Sequence, residues 1–581
     1  MSLLDWGVLV GTLLAIVAYG SWRSREVHTT ESYLRAGKDI RWWTIGLSVI
    51  ATQASAITFL SLPGQAYQDG LGFVQFYFGL PIAMVILSAV IVPIYHRLRL
   101  YTAYQYLETR FDRRTRHLIA LIFLVSRGLA SGLAIYAPAL VLAAVLGWPA
   151  LWTTFLLGAT TIVYTVVGGS RAVSQTQTAQ MAVIFVGLVA ALGVVVAKLP
   201  ASVTFGQGMA LAGALGKLHG VDASLRFDTR YTLWSGLLGG LFIQLAYFGT
   251  DQSQVQRYLA GGPLAESRLG LLMNGLLKVP MQLFILFIGV MVFVFYQLTP
   301  PPLFFNRADL ERARERQGAE VARLEAAQAE LFSAKRSAIE RMLAPGAAAE
   351  QVSAARSEVR AAEVRTVELR KETGALVART LPGADAKDAD FIFLRFVLDN
   401  FPRGLIGLLV AVILSAAMSA NSAALSSLGA TTVVDFYRPR RPEASDAQTL
   451  RVARLSTALW GLLAVGFAAF ASLLDNLIQA VNILGSLFYG PMLGVFLVGF
   501  FLAGVGARAV FWAALVGEGV VLASAAFGSI GFLWYNVLGC AVVVGLAVVL
   551  ERLFPPAPPP SQRRLPPDRS RRDGRGGPGL T

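Results

Sequence analysis

The sequence predicts an all-α membrane protein of about thirteen transmembrane helices, with one helical hairpin inserted among them. Three observations predict this. Charged residues make up 15% of the 581 residues and hydrophobic ones 55%, whereas soluble domains carry roughly a quarter charged residues. The apolar residues gather in runs of about 20, the length a helix needs to cross the hydrocarbon core. The arginines lie just outside those runs, where cytoplasmic flanks of membrane spans carry them. A net charge of +15 distributed in this way fits contact with a lipid bilayer and not with nucleic acid.

In chain order the spans are 3–21, 42–65, 72–96, 118–143, 148–168, 176–198, 231–256, 268–298, 403–434, 451–473, 476–502, 507–527 and 530–552. The first lacks the basic flank and small-residue cleavage pattern of a signal peptide, so it reads as a helix of the folded protein. Cys540 is the single cysteine, so no disulfide framework exists. Basic residues cluster at 22–41 (Arg23, Arg25, Arg35, Lys38, Arg41), at 97–117 (Arg97, Arg99, Arg110, Arg113, Arg114, Arg116) and at 435–454 (Arg438, Arg440, Arg441, Arg451, Arg454). Thirteen spans put these clusters and the basic tail on one side. The expected orientation in the cell inner (plasma) membrane is therefore N-terminus outside and C-terminus cytoplasmic.

Four regions follow. Residues 1–298 hold the first eight spans, 299–390 form an extracytoplasmic insertion, 391–554 hold the last five spans, and 555–581 form a basic tail. Within the insertion, 306–380 is rich in Ala, Glu, Arg and Leu. Apolar or small residues recur at heptad spacing, as Val321, Leu324, Leu331 and Ala338, then Val352, Ala355, Val359, Ala362 and Leu369. Ala344-Pro345-Gly346 interrupts them as a turn, giving an antiparallel coiled-coil hairpin. It serves either as a solvated spacer or as an arm that docks a partner or modulates a gate. The Pro-, Arg- and Gly-rich tail is expected to be disordered, with its arginines near anionic headgroups.

Polar groups at mid-membrane depth are costly, so they mark function. The second span reads Ile50-Ala51-Thr52-Gln53-Ala54-Ser55-Ala56-Ile57-Thr58, then Pro63-Gly64. Such an interrupted span can unwind and offer backbone carbonyls to an ion or solute. The ninth places Ser415, Ser419 and Ser422 three to four residues apart, lining one face with hydroxyls. Hard cations take oxygen ligands, so the stripe facing the unwound span would form a sodium cage. Small-residue packing and interhelical serine bonds are the structural alternatives. Tyr247-Phe248-Gly249-Thr250-Asp251-Gln252 interrupts the seventh span, and Lys278 lies deep in the eighth.

These stretches resemble the sodium:solute symporter family from about Leu3 to Phe554, the hairpin excepted. The carrying motifs are Ala51 to Leu60; Val167-Gly168-Gly169-Ser170-Arg171-Ala172-Val173 with Thr176 and Gln180; Thr250-Asp251-Gln252 with Val255-Gln256-Arg257-Tyr258-Leu259; and the serine-rich ninth span ending Asp435-Phe436-Tyr437. The resemblance implies a leucine-transporter-type five-plus-five inverted repeat, with the second and seventh spans as its broken helices. It implies a sodium site from the carbonyls of Ala51, Ala54 and Ala416 and the Ser419 hydroxyl. It implies solute contacts at Gln53, Thr58, Phe78, Gln244 and Lys278, with Tyr247 as inner gate. Two departures matter. Ala420 stands where a second hydroxyl is usual, and Gln177 where members commonly carry Asp; Gln177, together with Ala423 where such a site would want a hydroxyl, argues against a second sodium.

The implied activity is sodium-coupled symport of a small polar solute, a carboxylate or a sugar-like compound. Proton-coupled or uncoupled carriage, or a receptor using the hairpin, are the alternatives. No Gly-rich phosphate loop or other enzymatic module is visible, so no catalysis is expected.

Overall fold

The computed structural model describes residues 1–23, 41–98, 100–259, 263–381, 386–469 and 477–554. The expected disordered tail and most of the first basic cluster lie outside the described residues. All regular structure within them is helical. Ten helical stretches are long and apolar enough to cross a membrane, and Leu3–Ile16 and Ser235–Thr250 are shorter apolar helices.

Helix α1 is Leu3–Arg23, and the second span is split into α2 (Trp42–Gln53) and α3 (Ala56–Asp69). A 3-10 stretch, Gly70–Tyr77, leads into α4 (Leu80–Ile86), a π-turn (Leu87–Ile91) and α5 (Val92–Leu98). Then come α6 (Tyr104–Arg110), α7 (Arg113–Leu146), α8 (Ala150–Ala197) and α9 (Phe205–Ala214). The seventh span is split into α10 (Gly240–Thr250) and α11 (Gln252–Leu259), and α12 is Leu264–Leu298. The hairpin is α13 (Arg307–Leu343) and α14 (Ala349–Thr380), followed by α15 (Ile392–Asn400). The chain ends with α16 (Leu405–Thr431), which passes into a π-turn (Thr432–Tyr437), then α17 (Asp446–Ala468), α18 (Leu477–Phe501), α19 (Ala507–Phe527) and α20 (Leu533–Leu553).

The fifth and sixth expected spans are two apolar stretches, Ala150–Val167 and Thr176–Ala197, within the helical run α8. The Tyr164 hydroxyl meets Thr176 Oγ1 at 2.5 Å although the two are twelve residues apart, about 18 Å along a straight helix, so the run bends sharply between the stretches. Pro63-Gly64 does not break the second span. It sits inside α3, and the break falls at Ala54-Ser55. Gly64 is used for close approach: a Cβ there would meet the Ala389 backbone.

Helix α16 is the axis of the molecule. Its side chains are buried from Leu409 to Thr431, and it packs on α1, α7, α8, α17 and both halves of the second span. Buried hydroxyls cost free energy unless each finds a partner; Ser419 and Ser422 have one, whereas Ser415 Oγ and Ser426 Oγ have none among the described residues.

The hairpin lies against the helix ends rather than standing free. Val321, Leu324, Ala338, Ala355 and Val359 are buried as the heptad reading requires, while Leu331, Val352, Ala362 and Leu369 are half-buried. Ala338, Ala355 and Val359, with Ile339 and Met342, join the main hydrophobic core, whereas Val321 and Leu324 belong to a smaller cluster with Leu376 and Val377. Arg360 Nε donates to the Ala214 carbonyl at 2.8 Å, and Arg336 donates to that of Leu298. Arg370 pairs with Asp388 and stands over the rings of Phe305 (4.9 Å) and Tyr67 (5.5 Å). Tyr67 belongs to α3, so the hairpin touches the broken span directly.

Candidate functional site

The break in the second span is local. Ala54 leaves helical geometry (φ −82°, ψ 80°) and Ser55 is extended (φ −84°, ψ 173°). The Ser55 N–H bonds the Gln53 carbonyl at 3.1 Å, so the regular ladder to Ala51 ends there. The freed Ala51 carbonyl accepts from Ser419 Oγ of α16 at 3.3 Å. Ser422 Oγ donates to the Ser419 carbonyl at 3.1 Å. Ala416 is fully buried one turn before Ser419, and Ala54 is fully buried at the break itself. Among the described residues no side chain donates to the Thr52 or Ala54 carbonyl. The available donors are neutral oxygens, and no cluster of three His, Cys, Asp or Glu exists among the described residues.

Gln177 of α8 closes this site from a third side. Its Oε1 accepts from Ser48 Oγ, and its Nε2 donates to Thr52 Oγ1 at 3.0 Å and to the Ser419 carbonyl at 3.4 Å. The amide thus ties α2, α8 and α16 together without charge. A carboxylate at this position could accept from Ser48 but could not donate to the other two oxygens.

The break in the seventh span is built differently. Asp251 is extended (ψ 118°) between α10 and α11. Its carboxylate caps α11 by accepting from the Ser253 N–H (2.8 Å) and hydroxyl (2.6 Å), as an N-cap aspartate does. It also pairs with Arg127 of α7 and accepts from Tyr489 Oη at 2.8 Å. Three carbonyls at the end of α10 each receive a tyrosine hydroxyl: Phe248 from Tyr258 (2.9 Å), Gly249 from Tyr95 (2.8 Å) and Thr250 from Tyr104 (3.0 Å).

The expected solute residues divide into two groups. Tyr247 belongs to the Asp251 cluster. Its hydroxyl accepts from Gln254 Nε2 at 2.8 Å, Arg127 stands 5.2 Å from its ring centre, and Tyr489 lies 5.8 Å away. Gln53, Gln244 and Lys278 instead carry buried polar atoms with no hydrogen-bond partner among the described residues: Gln53 Oε1, Gln244 Oε1 and Lys278 Nζ. Thr58 is buried in the first turn of α3, and Phe78 is half-buried just before α4. Helix α12 packs along α2, α3 and α4, which brings Lys278 to the same side as the second break.

Sequence reasoning missed Arg127, Asp251 as an ion-pair partner, Tyr489, and the orphaned Asn274 and Gln282 beside Lys278. Arg127 gave a usable signal, because a charge in the middle of an apolar span marks a site or a partner. Tyr489 gave none, since aromatics are common in spans.

A profile described as the sodium:solute symporter family matches residues 33–309 and 369–517 and leaves out most of the hairpin. A sodium-dependent multivitamin transporter of Oryctolagus cuniculus is 28% identical over 525 residues, covering 86% of this chain and 66% of that protein. The sodium/sialic acid symporter SiaT of Proteus mirabilis (strain HI4320) is 26% identical over 572 residues, covering 95% and 96%. The chain thus spans just under two thirds of the first protein and nearly all of the second. A solved structure of a Na+-coupled sialic acid symporter, substrate-bound and outward-open, shares the fold with TM-score 0.74 at 23% identity, over 96% of this chain and 99% of that one.

Proposed function

The chain belongs to the sodium:solute symporter family, and on that premise we propose that it is a sodium-coupled symporter importing a small polar solute by alternating access. The carrying observation is the Ala51 carbonyl, freed by the break at Ala54-Ser55, facing Ser419 of the most buried helix. Sodium held by the carbonyls of Ala51, Ala54 and Ala416 and the Ser419 hydroxyl joins the broken span to α16. The relatives' names support the coupling ion, since each of those compared above is described as sodium-dependent or sodium-coupled.

Solute binds beside the same break, against Gln53, Thr58, Phe78, Gln244 and Lys278, with Tyr247 at the gate. Coupling works because sodium favours the state in which the broken span and α16 are joined; equal affinity for both states would shift nothing. Gln177 saturates the position where a second cation would want a carboxylate, which supports one sodium per cycle. In the plasma membrane, with the N-terminus outside, an inward sodium gradient and about 2.3 kcal/mol per charge per 100 mV of potential supply the work.

The test is uptake into proteoliposomes of purified protein. Solute accumulation should follow an imposed sodium gradient and stop when potassium replaces sodium. Accumulation driven equally by a proton gradient, or by none, would overturn the sodium reading in favour of proton-coupled or uncoupled carriage.

A further inference from the structure

Four cationic residues are buried among the described residues: Arg116, Arg257, Lys278 and Lys335. Arg116 pairs with Asp435 at 2.7 Å, and Lys335 with Glu363 at 3.1 Å. Arg257 donates to Gln256 at 2.8 Å and to Ser174 at 3.2 Å. Lys278 alone has no hydrogen-bond partner and no ion pair. An ammonium taken out of water costs several kcal/mol unless a counter-charge meets it, so the fold maintains an expense that something must offset.

The register of α12 shows where this charge sits. Gly270 packs on Trp42 and Ile45, and Gly289 packs on Pro63, so α12 runs parallel to the second span. Carrying that register along brings Lys278 level with Thr52 and Gln53, beside the break. Gly275 packs on Pro81 and Met84 of α4, and Gly79 packs on Gly240 and Leu241, which brings the start of α10 to the same neighbourhood. Asn274, Lys278 and Gln282 are spaced by four, so they share one helix face. All three are buried, and Asn274 Oδ1 and both Gln282 amide atoms are unpartnered too. Asn274 Nδ2 has only the Met84 sulfur, at 3.4 Å. Among the described residues the buried carboxylates are engaged or lie elsewhere: Asp251 pairs with Arg127 and Asp435 with Arg116, and Glu518, whose two oxygens have no hydrogen-bond partner, is on α19, which packs on α7, α18 and α20.

We infer that the transported solute is a monoanion whose carboxylate pairs with Lys278, while Asn274 and Gln282 bind polar groups next to it. The inference rests on the symport reading and names the solute class for that same site. A protonated lysine supplies the positive charge and three donors. The amides supply donors and acceptors that discriminate by hydrogen bonding, because a solute lacking those groups leaves them unpaired.

The test uses matched acid and amide pairs, butyrate with butyramide and nicotinate with nicotinamide, on purified full-length protein in sodium. Ligand binding is read as a rise in thermal midpoint. Acids should raise the midpoint at concentrations at least tenfold lower than their amides. Lys278→Met should abolish that preference, and should itself raise the midpoint of the ligand-free protein, because it removes a buried charge that has no partner. A merely structural lysine would give the opposite shift. Equal response to amides, retained acid preference in Lys278→Met, or no response to any acid each overturns the inference. A sodium-dependent response to the neutral members would sink the anion reading and leave symport standing. Loss of every sodium effect would sink the symport reading itself.

Discussion

The two broken spans interrupt their helices in opposite ways. At the seventh, the protein satisfies what the break exposes: three tyrosine hydroxyls cover three carbonyls, and Asp251 is held by Arg127, Tyr489 and Ser253. At the second, the Ala51 carbonyl receives one hydroxyl at 3.3 Å, and Gln53 Oε1 and Lys278 Nζ have no hydrogen-bond partner among the described residues. Unsatisfied polar groups inside a membrane cost several kcal/mol each. A fold that covers one break so thoroughly has the means to cover the other. On the symport reading proposed above, the break in the second span is left uncovered because its partners arrive from solution.

The comparison is broken most severely at Asp251. Replacing it by alanine leaves Arg127 buried without a counter-charge, and losing one member of a buried pair costs about 3–5 kcal/mol. Asp251→Ala is expected to lower the thermal midpoint of the ligand-free protein far more than Gln53→Ala does. Similar midpoints for the two variants would show that the breaks are not built differently after all.

Gln177→Glu comes next, because it tests the neutral tie between α2, α8 and α16. The substitution keeps the shape and removes the two donated bonds to Thr52 and to the Ser419 carbonyl. Leaving buried acceptors unmet costs about 1–3 kcal/mol. The variant should be less stable in sodium-free buffer and should recover more than the parent when sodium is added, since a cation can answer the new charge. A sodium response no larger than the parent's would remove Gln177 from the ion path.

Much of this was legible in the sequence, and the reasons differ by feature. The broken spans announced themselves as polar residues in apolar surroundings. In the second span the break falls within the polar stretch Ala51–Ser55 that the sequence marks out, and not at Pro63-Gly64, although those residues usually interrupt a helix. Tertiary contacts decided it: Pro63 and Gly64 are held by Gly289 and Ala389. The hairpin's heptads were readable, yet its docking was not, because Ile339, Met342 and Arg370 make contacts with residues far off in the chain, Arg370 with Tyr67 among them. Lys278 was visible as a charge at depth. That it lacks a partner is a statement about every neighbouring helix, which one helix's sequence cannot make.

Ser419→Ala removes one oxygen from the proposed sodium cage and leaves the carbonyls in place. One neutral ligand is worth about 1 kcal/mol net, so the sodium concentration for half-maximal uptake should rise by about fivefold to tenfold. Stability without sodium should barely change, since the Ser419 bond to Ala51 is long. Unchanged sodium dependence would remove the hydroxyl from the cage.

The smallest effect belongs to the hairpin, and it calibrates the largest. Arg341 pairs with Glu358 across α13 and α14, with side chains 58% and 56% exposed. Water already solvates both charges, so Arg341→Ala should cost less than about 1 kcal/mol, and salt should erase the difference. Asp251 and Arg127 form the same kind of pair with no water to replace a lost partner. If Arg341→Ala and Asp251→Ala shifted the thermal midpoint alike, burial would not be what makes the seventh break expensive to disturb. The contrast between a break closed by the protein and one left for its ligands would lose its physical basis.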